Sequence, residues 1–168
     1  MAIHTPQELR ALLPRGRRLL GLDLGSKTIG LAISDPGLVV ASPITTIRRT
    51  KFTEDARQLG RIIAEREVGG LVLGLPINMD GSEGPSATSA RQFATNLLAR
   101  ADLLGGEPEI TFWDERLSTS AVTRMMIEAD MTRKRRAEVV DKMAAAYILQ
   151  GCLDLLSRPA PDDDDRDR

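Results

Sequence analysis

Four acidic residues in three separate segments are the side chains of this sequence best suited to chemistry. Asp23 lies near the end of the apolar segment RRLLGLDL, Asp114 and Glu115 follow the short segment ITFW, and Asp141 lies inside a long helical pattern. A carboxylate among apolar residues is costly to bury unless a cation, hydrogen bonds or water compensate it. Carboxylates that converge from three elements describe an oxygen-lined site for Mg²⁺ or Mn²⁺, and two such ions can promote phosphodiester cleavage without His or Cys.

Asp141 is the most informative of these acids. At about 100° per residue, a helix places Asp141 on the same face as Ala145 and Ile148, so its carboxylate projects from an apolar stripe. A metal ion shared with Asp23 would compensate this charge, and an ion pair with a cation such as Arg116 is the alternative.

The other acids also have alternative roles. Asp23 would otherwise accept hydrogen bonds from the amides of the turn that follows it. Because side chains alternate along a strand, Asp114 and Glu115 point to opposite faces of the sheet, and only one of them can share a site with Asp23. The other would cap the next helix or pair with Arg116.

The elements that must position these acids form an α/β pattern. We predict a short helix over 6–13, strands over 17–24, 28–34 and 39–49, a helix over 53–67 closed by Gly69-Gly70, a strand over 71–75, a helix over 85–104, a strand over 110–113, a helix from Ser118 or Thr119 to about 130, and a helix over 134–157. The order predicts a mixed sheet, an antiparallel three-strand meander plus two parallel strands, with helices on both faces. Pro43 in the third strand indicates a bulge or an edge position.

The composition is typical of one soluble globular domain. The 168 residues are 42% hydrophobic and 28% charged, which is enough for one full core. We divide the chain into a helical extension over 1–16, a main domain over 17–157 and a disordered acidic tail over 158–168. A single Cys152 excludes an internal disulfide, and the single His4 lies in the extension, away from any predicted site. No long apolar run or signal peptide is present, so we expect a cytoplasmic protein.

The net charge of −1 hides a segregated distribution. The last seven residues hold five acids and two bases, so the other 161 carry 21 bases and 19 acids. The most basic stretch, 133–136, is either a nucleic-acid contact or a solvated helix start. The loop 74–81 joins a strand to a helix and is either a phosphate site or a plain turn. The candidate substrate-binding residues are Lys27, Asn78, Arg116, Lys134 and Arg135.

Four segments together resemble the YqgF-type family of pre-16S rRNA nucleases and Holliday-junction-resolvase-like proteins. They are GLDLGSKTIGLAISD, VLGLPINMDGSEGP, DERLST and VVDKMAAAYILQ, in the family's order and spacing over about 17–157. The resemblance implies a ribonuclease H-like nuclease domain that hydrolyses a nucleic-acid phosphodiester with divalent metal, in maturation of the 5′ end of 16S rRNA. It matches Asp23 and Asp141 to the family's metal-binding acids and Asp114-Glu115 to the acidic positions of its third motif.

The match is closer in some motifs than in others. Of the two adjacent acids we favour Glu115 as the ligand, because its longer side chain reaches further across a shared site. Related resolvases carry an acid at the end of the strand that here reads Leu73-Gly74-Leu75. This departure weakens a direct transfer of junction resolution to the present chain.

The leading hypothesis is a metal-dependent nuclease for structured RNA, with catalytic Asp23, Asp114, Glu115 and Asp141. Two Mg²⁺ or Mn²⁺ ions would be held by Asp23, Glu115 and Asp141, in a monomer or homodimer. A Holliday-junction-type DNA resolvase and a non-catalytic RNA-binding module are the alternatives. The segment DLGSKT also resembles the phosphate loop of actin- and Hsp70-like ATPases, but those proteins need two such domains and 168 residues supply one.

Overall fold

A mixed sheet of six strands carries the fold in the described part of the chain. The structure is a computed structural model that describes residues 3–117 and 133–157, with the backbone alone from 133 to 141. The strands are β1 (Ile3–His4), β2 (Arg18–Leu24), β3 (Thr28–Ser34), β4 (Ala41–Arg48), β5 (Val68–Leu75) and β6 (Ile110–Asp114). The predicted helix from 118 or 119 to 130 and the predicted disordered tail lie outside the described residues.

Five α-helices and one 3₁₀ turn are described beside the sheet. They are α1 (Pro6–Leu12), α2 (Phe52–Glu65), α3 (Pro85–Ala99), α4 (Ala101–Leu104), the 3₁₀ turn Glu115–Leu117 and α5 (Arg133–Ser157). Within the ranges described, no helix is both long enough and apolar enough to cross a membrane.

The strand order is β1-β6-β5-β2-β3-β4. Strands β2, β3 and β4 form an antiparallel meander, and β2, β5, β6 and β1 run parallel. The predicted mixed α/β sheet is therefore confirmed, with β1 as an additional edge strand too short for sequence periodicity to show. Pro43 lies both in an edge strand and next to an irregularity in the pairing, the two positions predicted for it. Strand β4 is at the edge of the sheet, and its register with β3 shifts between Leu31 and Ala32, the partner of Pro43.

Two helical layers enclose the sheet, and each strand divides its side chains between them. Leu20 and Leu22 of β2 pack into the core beneath α2 and α3, on what we call the α3 face. Leu19 and Gly21 lie on the other side, the α5 face. Helix α5 approaches β2 closely there, because a Cβ added to Gly21 would lie only 2.8 Å from Cβ of Leu149.

The predicted apolar stripe of the last helix is confirmed where side chains are described. Ala145, Ile148 and Cys152 are fully buried in the core of the α5 face. Asp154 is exposed on the opposite side of the helix. The stripe therefore fixes which side of α5 meets the sheet.

Two predicted boundaries were wrong. Gly69 and Gly70 lie inside β5 and do not close the preceding helix. Glu67 turns the chain instead, with a left-handed φ of 54°. The N-terminal segment packs closely against the strand here, because a Cβ added to Gly70 would lie 2.9 Å from Cδ1 of Leu9 in α1 and one added to Gly69 would lie 2.8 Å from Cβ of Arg17. The predicted helix over 85–104 is interrupted and forms α3 and α4.

The N-terminal segment closes the amino edge of the sheet. Leu9 of α1 is fully buried, and Arg10 donates a hydrogen bond to the carbonyl of Leu156 near the end of α5. His4 pairs with Glu109 just before β6 begins. This edge is opposite to the one at which the acidic residues of β2 and β6 lie.

Candidate active site

The carboxyl edge of the parallel strands brings Asp23 and Glu115 together. Asp23 follows the register pair Leu22–Leu73, so it lies beside Gly74 at the ends of β2 and β5. Glu115 comes directly after β6, and its side chain extends over Gly74 to form a hydrogen bond with the carboxyl group of Asp23. Two half-buried acids from different strands therefore share one site on the α5 face.

Gly74 provides the space in which the two acids meet. A Cβ built on Gly74 would lie 2.3 Å from Oε1 of Glu115 and 2.5 Å from Cδ1 of Ile148. Both atoms are side-chain ends, so a side chain at this position would displace the Glu115 carboxylate or Ile148 from the places that they take beside glycine. The Glu115 carboxylate from the end of β6 thus takes the place that a side chain on β5 would occupy.

The environment of Glu115 opposes its ionisation. Burial raises its pKa most, followed by the charge of Asp23, the hydrogen bond with Asp23 and the charge of Asp114, and together they raise the pKa to about 8. Two carboxylates in contact cannot both be charged unless a cation compensates them. The pair therefore holds a proton or a cation, and its all-oxygen donors fit Mg²⁺ or Mn²⁺.

Asp114 lies on the α3 face and has a partner of its own. Its carboxylate accepts hydrogen bonds from Nε and Nη2 of Arg116, the latter at 2.7 Å, and from the Arg116 backbone N–H at 3.0 Å. The hydrogen bond and charge of this guanidinium lower the pKa of Asp114. Arg116 therefore compensates Asp114, whereas the neighbouring acid Glu115 meets Asp23.

Asp141 belongs to α5, one turn before Ala145. Since the last turn of α5 is held at the amino edge through Leu156, the helix runs back toward the carboxyl edge, and the backbone of Asp141 is on that side. The side chain of Asp141 lies outside the described part of the structure. Among the side chains that are described, no group of three or more His, Cys, Asp or Glu residues could hold a metal ion.

The predicted substrate-binding residues are distributed around the same edge. Lys27 is exposed in the turn between β2 and β3. Asn78 is exposed in the loop after β5, where its Nδ2 donates to Oγ of Ser82 at 3.0 Å and braces the loop. Lys134 and Arg135 belong to the first turn of α5, and their side chains lie outside the described residues.

A group of four cationic residues lies at the carboxyl edge, and the sequence did not identify it as a group. We call this group the basic corner. Its members are Lys27, Arg48, Arg49 and Lys51. Arg48 pairs in register with Thr28, and the Arg49 backbone N–H donates to the Lys27 carbonyl at 2.8 Å. Within the described ranges, none of the four has a carboxylate oxygen within 4.0 Å. The only sequence signal was the hairpin pairing of β3 with β4.

The single histidine and the single cysteine of the chain are both remote from this site. His4 is at the amino edge with Glu109. Cys152 is fully buried in α5, and burial raises the pKa of its thiol to about 12, so the thiol stays neutral. Neither residue therefore contributes to the site at the carboxyl edge.

The fold is that of the ribonuclease H-like nucleases. It is shared with RuvC from Thermus thermophilus, solved in complex with a Holliday junction substrate, at a TM-score of 0.50 and 10% sequence identity. That likeness covers 84% of this chain and 96% of that chain. At this identity the comparison establishes the fold alone. The class defined by this comparison is therefore a fold class, the ribonuclease H-like mixed sheet with helices on both faces.

Sequence comparison identifies the family. The model of the RuvX family, described as Holliday junction resolvase, matches residues 17–155. A relative from Rhodospirillum centenum, named as a candidate pre-16S rRNA nuclease, is 66% identical over 99% of this chain and 91% of its own length. A relative of the same name from Paramagnetospirillum magneticum is 63% identical over 92% of this chain and 96% of its own length. The chain belongs to the RuvX family, and it is a nuclease that binds nucleic acid.

Proposed function

We propose that the protein is a metal-dependent nuclease that cleaves structured RNA in the maturation of the 5′ end of pre-16S rRNA. The contact between Asp23 and Glu115 at the carboxyl edge carries this proposal, because it creates a site that requires either a proton or a cation. The names of the relatives from Rhodospirillum and Paramagnetospirillum support the choice of substrate. Such a substrate would place the enzyme in the cytoplasm.

The residues that would hold the metal are Asp23, Glu115 and Asp141. Asp23 and Glu115 are in contact, and the backbone of Asp141 lies toward the same carboxyl edge of the sheet. Two Mg²⁺ or Mn²⁺ ions bound there would supply activation of water and stabilisation of the leaving oxygen. The Glu115 carboxylate would be oriented by packing, since it lies over Gly74 beside Ile148.

Positive and polar groups around the pair would hold the substrate. We assign phosphate contacts to Lys27, Arg116, Lys134 and Arg135, and a contact through the loop to Asn78. Asp114 would act through Arg116, because its bidentate hydrogen bonds fix the direction of that guanidinium at the edge of the site. In this assignment Asp114 positions a substrate-binding group and Glu115 is the metal ligand.

The test is cleavage of a precursor fragment that spans the 5′ end of 16S rRNA, with and without Mn²⁺. We expect Asp23→Asn to reduce the rate by about 100-fold or more, since several kcal/mol of transition-state stabilisation depend on the metal site. Asp102→Asn is the matched control, because Asp102 is an exposed acid of α4 that pairs with Arg100. Equal rates for the wild type and Asp23→Asn would disprove the assignment.

A Holliday-junction-type DNA resolvase is the second candidate. The description of the RuvX family and the fold shared with Thermus thermophilus RuvC favour it. The same preparation should therefore be given a four-way DNA junction and the RNA fragment in parallel. Faster cleavage of the junction would replace the RNA substrate in our proposal, and binding of RNA without cleavage under either metal would indicate a non-catalytic module.

A further inference from the structure

A small pocket on the α3 face lies directly beyond Asp23. It occupies about 130 Å³ between the turn that follows β2 and the first turns of α3. The polar side chains that line it are Ser26, Arg49, Ser86 and Ser89.

The polar side chains of this lining are hydrogen-bond donors, and Leu24, Gly25 and Phe93 form the rest. Within the described residues, the hydroxyl groups of Ser26, Ser86 and Ser89 have no hydrogen-bond partner, and no carboxylate lines the space. Arg49 is held in place, because its Nη1 donates to the carbonyl of Gly25 at 2.6 Å and its guanidinium lies 5.6 Å from the ring centre of Phe93. Hydroxyl groups and a fixed guanidinium are the donors that phosphate oxygens accept from.

The surroundings of the pocket are electropositive. Arg49 is part of the basic corner, whose members have no carboxylate partner among the described residues. The first turn of α3 contains no acidic residue, its N-cap Gly84 offers no side-chain hydrogen bond, and the preceding acid Glu83 pairs with Arg91. An anion that entered the pocket would therefore meet Arg49 and the positive end of the α3 dipole.

The pocket is also close to the carboxylate pair. Gly25 follows Asp23 by two residues, so their Cα atoms are at most ~7.6 Å apart. Leu24 between them directs its side chain to the α3 face, whereas Asp23 faces α5. A nucleic-acid strand that crosses this edge of the sheet could meet both positions.

We propose that this pocket binds a backbone phosphate of the nucleic-acid strand next to the phosphodiester presented to Asp23 and Glu115. The identity of the ligand rests on the proposed nuclease function. The pocket positions the strand and does not touch the reacting atoms. Its contribution is therefore to affinity and to KM.

The experiment compares Ser86→Asp with Thr88→Asp. Both variants add one negative charge to the first turns of α3, where an acid does not destabilise a helix, but only residue 86 lines the pocket. Affinity for the 16S precursor fragment is measured in EDTA over a series of salt concentrations, so that binding is separated from cleavage. Thermal melting is recorded for each protein.

We expect Ser86→Asp to weaken binding about tenfold and to reduce the slope of log K against log[salt] by about 0.7–0.9, the value of one phosphate contact. Thr88→Asp should change both much less, and neither melting temperature should fall. With Mn²⁺ present, Ser86→Asp should raise KM more than it lowers kcat. Equal effects of the two variants on affinity and on the salt slope would overturn the proposal.

A second variant keeps the test informative if Ser86→Asp fails to fold. The double variant Ser86→Ala/Ser89→Ala removes two donors without adding charge, and we expect about threefold weaker binding, whereas unchanged binding would count against the pocket. The binding assay also separates this proposal from the proposed function. If Asp23→Asn cleaves as well as the wild type, the metal-site assignment fails while the binding difference between residues 86 and 88 still stands.

Discussion

Asp114 and Glu115 are neighbours in the chain but lie in opposite electrostatic environments. Asp114 faces α3, where hydrogen bonds from Arg116 lower its pKa. Glu115 faces α5, where burial and Asp23 raise its pKa to about 8. The difference arises because consecutive residues at the end of a strand leave the sheet on opposite sides. One peptide bond thus separates an acid that is already compensated from one that requires a proton or a metal.

The two faces of the sheet also differ at the carboxyl edge. On the α5 face two half-buried carboxylates meet, whereas the α3 face carries the Asp114–Arg116 pair after β6 and a separate pocket lined by Arg49 and serine hydroxyl groups. The proposed function uses both sets of groups, with carboxylates for the metal and cations for the substrate. The two sets lie on different sides of the sheet.

The largest expected effect tests the difference between the two adjacent acids directly. Glu115→Gln should reduce RNA cleavage by about 100- to 1000-fold, because it removes a proposed metal ligand and with it several kcal/mol of transition-state stabilisation. Asp114→Asn should reduce cleavage by less than about tenfold, because it only loosens Arg116. Both rates are measured with Mn²⁺ at saturating RNA. A loss of equal size in the two variants would show that both acids take part directly in the reaction.

A smaller effect is expected when the space at Gly74 is filled. Gly74→Ala should lower the free energy of unfolding by about 1–3 kcal/mol, because the new methyl group overlaps Glu115 and Ile148. It should also weaken Mn²⁺ binding, measured calorimetrically. Adding Ile148→Val should restore part of the stability but not the metal affinity, because the overlap with Glu115 remains.

Gly84→Ala is the matched control for that experiment. A Cβ on Gly84 would make only an ordinary contact, at 3.5 Å from Nδ2 of Asn78. We expect Mn²⁺ affinity to be unchanged in this variant. Recovery of full metal affinity in Gly74→Ala/Ile148→Val would show that Glu115 does not need the space above Gly74.

The smallest effect concerns pH, where the two acids should act with opposite sign. In the metal-free protein the raised pKa of Glu115 contributes stability that is complete below its unfolded value of 4.5 and is lost as pH rises through about 8. Since the group is partly solvated, we expect a loss of about 1–2 kcal/mol over this range. The lowered pKa of Asp114 contributes stability above pH 3.8 that is lost in more acidic solution.

Urea unfolding at a series of pH values in EDTA measures both contributions. Glu115→Gln should flatten the profile between pH 4.5 and 8, and Asp114→Asn should change it only in the acidic range. A Glu115→Gln profile that still falls over the neutral range as the wild type does would assign the titration to another group.

Much of the fold could be predicted from local patterns. The mixed sheet and the buried face of α5 followed from apolar periodicity, because a period of two or 3.6 residues states which side of an element is buried. Gly69 and Gly70 show where this reasoning failed. Glycines after a helix are a common stop signal, and the real requirement was the packing of α1, a segment remote in sequence.

The residues of the candidate site could be predicted from the sequence, but the contacts between them could not. Asp23 and Glu115 were identifiable as acids at the ends of apolar strands. The alternation of side chains along a strand also predicted that Asp114 and Glu115 point to opposite faces of the sheet. This alternation did not predict which of the two acids meets Asp23, because that contact uses the space that Gly74 leaves for Glu115. Nor could it join Lys27 to Arg48 and Arg49, which are brought together by the pairing of β3 with β4.

The amino-acid sequence by itself determined the chemistry open to this protein and the elements that carry it. With one histidine and one cysteine in the chain, the sequence favours chemistry based on carboxylates at strand ends. The tertiary structure decided which acids touch, which acid is neutralised by an arginine, and which cations surround a pocket. The physical reason is that residue type and period are local properties, whereas the pKa of Glu115 depends on Asp23 and on burial by elements distant in the chain.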